Sequence, residues 1–282
     1  MKLNLKELFD STVTELNSFI PFDTSEEVKF FFREKFNISQ YELLMNKTTL
    51  NYLEMNNSID DYIKRRKKRE PVQYIIGHSW FYTKKIFVEK DVLIPRPETE
   101  LLVAETIKII NKNNIDSVLE IGCGSGAIGV ELLDHCSTIN YTGTDISELA
   151  IKLTKKNIEY YKLSSRAHIL KDDLYTGEKN FSLIVSNPPY INKEDMKKLE
   201  EELSFEPETA LYGGDDGLDY YRNIIIISKN ILQNKGYLIF EIGYDQKNEI
   251  IEFAENINLK TIKTLKDYSG HDRIIIFRRD YE

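Results

Sequence analysis

From Asp116 onward the sequence alternates short β-rich runs with amphipathic helical runs, and this alternation limits the possible folds more than any other feature. Ser117–Ile121, Tyr141–Asp145, Ala167–Leu170, Phe181–Ser186 and Tyr237–Ile242 read as strands. Ala127–Cys136, Ser147–Lys162, Leu218–Leu232 and Asn248–Ile257 read as the helices between them. Apolar strands separated by helices predict an α/β class with a mostly parallel sheet covered on both faces. Thr261–Leu265 and Arg273–Arg278 lie too close together for a crossover helix. They are expected to pair as a hairpin, which leaves one antiparallel strand in the sheet.

The preceding residues follow other periods. Leu5, Leu8, Phe9, Val13 and Leu16 recur at helical spacing. Thr24 with Glu27 and Ser39 with Glu42 have the spacing of capping boxes, and Ser58 can cap a segment Ile59–Arg69. Residues 1–69 are therefore expected to form a small N-terminal helical domain. Val72, Tyr74, Ile76, Phe81, Ile86, Val88, Val92 and Ile94 alternate, which predicts a β-hairpin linker over 70–95. Pro97 is placed to open a helix with Glu98 and Glu100 in its first turn, so the main domain runs from 96 to 282. The run Lys64–Arg69 has two readings: a solvated helix end, or a patch that docks an acidic surface or RNA.

Composition narrows the function. The formal net charge is −8, from 38 basic and 46 acidic residues, whereas a chain that lives on phosphate contacts carries a basic face. A nucleic-acid substrate is thus not expected. Two cysteines are too few for a disulfide framework, which fits a cytoplasmic setting. The four histidines lack ligand spacing, so no metal is expected. No signal peptide or membrane-spanning run is expected either.

Gly122-Cys123-Gly124-Ser125-Gly126 joins the first parallel strand to its helix, and Asp145 ends the second strand. Glycines let backbone approach a ligand closely, and a carboxylate at the next strand end accepts from ribose hydroxyls. The pair predicts a nucleoside cofactor. Gly124, Gly126 and Gly129 also satisfy the dinucleotide fingerprint, so the loop alone does not decide which. Cys123 reads as a small loop residue rather than a nucleophile. Asp172 and Asp173 read equally as adenine acceptors or as solvated acids. Gly213–Gly217 reads as a loop rather than a lid.

Asn187-Pro188-Pro189-Tyr190 follows the strand ending at Ser186, at the same sheet edge. The lone pair of a planar nitrogen is delocalised, so acceptors must orient its N–H groups toward an electrophile. The Asn187 oxygen and the Pro188 carbonyl suit that task, Pro189 stiffens the turn, and the Tyr190 ring packs on a flat substrate group. A nicotinamide enzyme has no need of this element, which points to S-adenosylmethionine as methyl donor.

With these motifs, the sequence resembles the release-factor glutamine methyltransferases, the PrmC/HemK family. The likeness also runs through Glu70-Pro71, Tyr74-Ile75, Gly77, Val92–Glu100, Glu206-Pro207, Ala210-Leu211, Gly213-Gly214, Asp216–Leu218, Glu241–Gly243, Gln246, Asp267–Gly270 and Asp272-Arg273. It implies a Rossmann-like class I methyltransferase domain that methylates the side-chain nitrogen of glutamine in a Gly-Gly-Gln tripeptide of a peptide-chain release factor. It implies that Gly122, Cys123, Gly124, Ser125, Gly126, Asp145, Leu174 and Asn187 bind S-adenosylmethionine. Asn187, Pro188, Pro189 and Tyr190 would hold the glutamine, with Asn187, Pro188 and Tyr190 catalytic. Leu174 stands near the adenine where some relatives have tryptophan, and Thr83 where the linker often has glycine. The chain is expected to act as a monomer. The competing functions are adenine N6 methylation of DNA or RNA, and a non-catalytic SAM-sensing or RNA-binding module.

Overall fold

The computed structural model describes residues 4–46, 52–177 and 180–280. The chain divides into two compact units, Met1–His78 with Glu201–Phe205, and Ser79–Glu200 with Glu206–Glu282.

The first unit contains α1 (Leu5–Asn17), α2 (Ser25–Phe36), α3 (Gln40–Met45), α4 (Tyr52–Arg66) and α5 (Val72–Ile76). Leu5, Leu8, Leu16, Val28, Phe31, Phe32, Ile59, Tyr62 and Ile63 form its core, where Phe31 and Tyr62 stack with ring centroids 4.0 Å apart. The capping box at Ser39 is present, but the one expected at Thr24 is not. Glu27 instead accepts from Arg66 Nε at 2.7 Å and from the Tyr62 hydroxyl at 2.7 Å. Ser58 lies inside α4, whose helix continues past it without a break.

Lys64, Arg65 and Arg66 fall in the last turn of α4, the helix end of the first reading, but much of the run is paired rather than solvated. Arg65 pairs with Glu70, Arg66 with Glu27, Lys67 with Glu15 and Arg69 with Glu202. Arg66 is 2 % exposed. Most of the run is spent on ion pairs within its own unit, which a charge run read by itself does not disclose.

The alternation at 72–76 is also not a strand. Pro71 precedes the segment and Gly77 follows at φ +85°, so helix-opening and helix-closing residues bracket a single turn, α5. The hairpin is shorter than 70–95: β1 (His78–Phe81) and β2 (Lys84–Phe87). Thr83 occupies its two-residue turn, donating its N–H to Glu131 Oε1 and its hydroxyl to Glu131 Oε2, both at 2.8 Å.

The remaining elements are α6 (Thr99–Asn113), β3 (Ser117–Ile121), α7 (Ala127–His135), β4 (Asn140–Asp145), α8 (Glu148–Tyr160), β5 (Ala167–Lys171), β6 (Phe181–Ser186), α9 (Lys193–Met196), α10 (Asp219–Ile231), β7 (Leu232–Glu241), α11 (Lys247–Glu255), β8 (Leu259–Lys266) and β9 (Asp272–Arg279). The sheet order is β5-β4-β3-β6-β7-β9-β8, and β9 pairs antiparallel with both β7 and β8. The expected mostly parallel sheet with one antiparallel strand is what forms.

Alternate residues of each central strand enter opposite cores. Val118, Leu183, Val185, Ile239, Ile274 and Ile276 pack with Leu102 and Val103 of α6, Val130 of α7 and Ile151 and Ile158 of α8. Leu119, Ile184, Leu238, Phe240, Ile275 and Phe277 pack with Tyr221, Ile224 and Ile225 of α10 and with Ile250 and Ala254 of α11. β3 lies between β4 and β6, so chain order reverses there and a crevice opens at the carboxyl ends of the strands. No helix of the described residues is long and apolar enough to cross a membrane.

Candidate active site

A cleft of about 730 Å³, its open mouth included, occupies that crevice. Gly122 and Gly124 line it from the loop after β3, Asp145, Ile146 and Ser147 from the end of β4, and Asp172, Asp173 and Leu174 from beyond β5. Asn187, Pro188 and Pro189 line it from the end of β6. The glycine loop and the Asn-Pro-Pro-Tyr segment therefore share one cavity, as their common sheet edge predicts.

Hydrogen bonds fix the loop in place. The N–H groups of Gly122 and Cys123 both donate to the Thr144 carbonyl at 2.9 Å. Gly124 N–H donates to Asp145 Oδ2, and Ser147 N–H to Oδ1, both at 2.9 Å. Burial pushes the Asp145 carboxyl above its usual range, while the N–H groups of Ser147, Gly124 and Ile146 pull it back. Cys123 is buried with its thiol against Thr154 Oγ1, and burial holds the thiol well above its ordinary pKa. That protonated, enclosed thiol fits a packing residue, not a nucleophile. Leu174 lines the cleft at φ +68°, a backbone region costly for leucine.

The structure resolves the ambiguity of the glycine fingerprint. A Cβ on Gly129 would stand 2.4 Å from the Tyr141 ring, so helix–strand packing demands that glycine whichever nucleoside binds, and the decision falls to the charge of the cleft. Asp91, Asp145, Asp172 and Asp173 line the cleft, and among the described residues no lysine or arginine does. Four carboxylates without a cation suit a neutral purine and a positively charged sulfonium, and disfavour a pyrophosphate. The residues present thus fit S-adenosylmethionine.

Ser125 and Gly126 lie behind the lining, as does Tyr190. The Tyr190 ring packs against the core containing Tyr221 and Ile224, and burial raises its pKa, with the Glu241 charge adding to the effect. Its carbonyl accepts from Gln246 Nε2 at 2.9 Å, and Gln246 Oε1 in turn accepts from Gly243 N–H at 3.0 Å. Gly213 is pressed onto the same segment, where an added Cβ would lie 2.6 Å from the Pro189 carbonyl oxygen. The Gly213–Gly217 loop is a packed support for Pro189 and Tyr190.

Sequence reading assigned no role to two groups that the fold brings to Asn187. Asn187 Nδ2 donates to Thr99 Oγ1 at 3.1 Å, and the Thr99 side-chain hydroxyl acts toward the buried Glu241 carboxyl as a donor that lowers its pKa. Burial, opposed most strongly by that hydroxyl, pushes Glu241 up to about 7. Arg96 Nη2 meets both Glu206 oxygens at 2.7 Å, which ties the segment before α6 to Pro207, Thr209 and Ala210 on the cleft rim. The only available signal was the presence of these residues in the family motifs. Among the described residues no cluster of three or more metal-ligating side chains occurs.

Comparisons with known proteins bear on the family rather than on individual site residues. Residues 98–214 match the methyltransferase small domain, and residues 22–77 match the PrmC N-terminal domain. The chain is 40% identical to the release factor glutamine methyltransferase of Clostridium acetobutylicum over 77% of its own length and 78% of that protein. It is 37% identical to the release factor glutamine methyltransferase of Fusobacterium nucleatum, over 84% and 70% respectively. A methyltransferase structure from Pyrococcus furiosus shares the fold, with a TM-score of 0.52 at 19% identity, over 70% of this chain and 89% of that one. From the joined cleft and these relatives together, the chain belongs to the release factor glutamine methyltransferase family.

Proposed function

We propose that this chain methylates the side-chain amide nitrogen of the glutamine in the Gly-Gly-Gln tripeptide of a peptide-chain release factor, using S-adenosylmethionine. The observation that carries the reading is the commitment of Asn187 Nδ2 to Thr99. With the amide nitrogen spent inward, Oδ1 is the Asn187 atom left to accept from an incoming –NH2 group. An amide nitrogen needs oriented acceptors more than a strong base, because its lone pair must be turned out of resonance and held in line.

S-adenosylmethionine supplies a methyl group on a positively charged sulfur. Gly122 and Gly124 let it approach the backbone, Asp145 accepts from its ribose, and Leu174 packs beside its adenine. Asp172 and Asp173, next to Leu174, are placed to accept from the adenine amino group or to stay solvated. Pro188 offers its carbonyl as the second acceptor, and Pro189 and Tyr190 shape the glutamine pocket. Residues 1–69 recognise the release factor, 70–95 link, and 96–282 carry out transfer. The two free, buried cysteines suit a reducing, cytoplasmic setting. A monomer that leaves nucleic acid unmodified completes the proposal.

Mass spectrometry of a purified release factor after incubation with this protein and S-adenosylmethionine tests it, with DNA and RNA as parallel substrates. One added methyl on the Gly-Gly-Gln peptide is expected. Methyl transfer to nucleic acid alone would overturn it.

A further inference from the structure

The acceptor role of Asn187 depends on which way its amide is turned, since nitrogen and oxygen have nearly the same shape. Thr99 alone does not set that direction. Its hydroxyl both donates and accepts, so it can meet either end of the amide. Glu241 breaks the symmetry. Ser186 on β6 pairs with Phe240 on β7, so Asn187 and Glu241 follow side by side at the ends of adjacent parallel strands. Thr99 opens α6 beside both. Glu241 is 1 % exposed, its Oε2 is buried with no hydrogen-bond partner, and its backbone carbonyl accepts from the Tyr221 hydroxyl at 3.0 Å. A buried carboxylate with an orphan oxygen is costly to keep, which argues for a task beyond packing.

We propose that Glu241 and Thr99 are positioning residues that fix the polarity of the Asn187 amide. The ionised Glu241 accepts the only proton of the Thr99 hydroxyl. Thr99 Oγ1 is then solely an acceptor toward Asn187, which must present Nδ2 to it and Oδ1 to the substrate. This rests on the glutamine-methylation reading and adds a polarity device to it. When Glu241 takes up a proton, it donates to Thr99. The hydroxyl is then free to donate to Asn187 Oδ1, and the amide turns its N–H groups toward the substrate, where acceptors are needed. The groups facing Glu241 are Arg273 from β9, Arg96 and Glu98 before α6, Tyr190 after β6 and Tyr221 on α10.

The test compares wild type with Thr99→Val, Thr99→Ser and Glu241→Gln. Thr99→Val is expected to lower kcat by about 100-fold, the order seen when one oriented polar group is removed from a charge-stabilising site. Binding of S-adenosylmethionine should stay within about twofold, because Thr99 itself does not line the cleft. Thr99→Ser restores kcat. The wild-type kcat falls on the acid side as Glu241 protonates, and that limb disappears in Thr99→Val and Glu241→Gln. Near-wild-type kcat in Thr99→Val, equal loss in Thr99→Val and Thr99→Ser, or an unchanged acid limb in both limb-testing variants would overturn the proposal. NMR of the Asn187 side-chain amide separates it from the functional reading. Its NH2 protons should exchange with water more slowly in wild type than in Thr99→Val. Equal exchange defeats the positioning role whether or not any release factor is methylated.

Discussion

Gly124 and Asp145 are joined by a hydrogen bond of 2.9 Å from backbone N–H to carboxylate oxygen. The acid that faces the cofactor cleft is therefore also a strut of the glycine loop, and Ser147 N–H holds its other oxygen. A single carboxylate organises three segments: the turn after β3, the end of β4 and the start of α8.

Asp145→Ala should consequently do two things. S-adenosylmethionine affinity should fall by about 10- to 100-fold, the scale of one or two charge-assisted hydrogen bonds. The loop also loses an anchor, so Asp145→Asn should be milder than Asp145→Ala. Calorimetric titration checks both; unchanged affinity in the alanine variant counts against the ribose role.

Asn187→Ala removes an oriented acceptor while leaving the sheet intact. Methyl transfer should drop by about 100-fold or more, with cofactor affinity reduced far less. Transfer near the wild-type rate in a folded Asn187→Ala protein would rule out the proposed geometry.

Glu206 is nearly enclosed and grips Arg96 with both oxygens. Glu206→Ala leaves the guanidinium without that partner, and because Arg96 is partly exposed the loss of stability should be about 1–3 kcal/mol. Glu206→Ala should also raise the KM for S-adenosylmethionine, since Pro207, Thr209 and Ala210 line the cleft. A thermal melt and a KM measurement decide; no change in either would mean the pair is ornamental.

Burial pushes the Glu120 carboxyl to about 8 from an ordinary 4.5, against the pull of the Tyr141 hydroxyl that donates to it. The folded state thus keeps a proton that the unfolded chain has released over most of that window. This contribution to stability is full below about pH 4.5, declines as pH rises and is lost above about pH 8. Glu120→Gln should flatten the decline in Tm across that range. Parallel slopes for wild type and variant would show that Glu120 is ionised when folded.

Much of the main fold was legible because its strands are buried on both faces and separated by amphipathic helices. Asp145 and Asn187 could be placed at one sheet edge because strand ends in such a sheet converge. Thr99 and Glu241 could not be assigned a role, because Glu241 reaches Asn187 through the pairing of β6 with β7 and Thr99 through the placement of α6, neither of which chain order alone states. The reading failed at Val72–Ile76, where one helical turn mimics alternation, and at Thr24, where a distant Arg66 and Tyr62 claimed the carboxylate that local spacing assigned to a cap. Arg66, Lys67 and Arg69 of the basic run concealed their partners for the same reason, Glu202 lying furthest along the chain.

Glu201–Phe205 belongs with the helical unit although both flanks, ending at Glu200 and resuming at Glu206, belong with the catalytic one. The polypeptide thus visits the helical unit twice. A protease that cut between His78 and Ser79 would not remove all of that unit, and a gene truncated at the same point would encode a catalytic half still carrying five residues whose companions were gone. Exchange of the helical unit between relatives is correspondingly constrained: a transplanted unit must bring its own 201–205 segment with it.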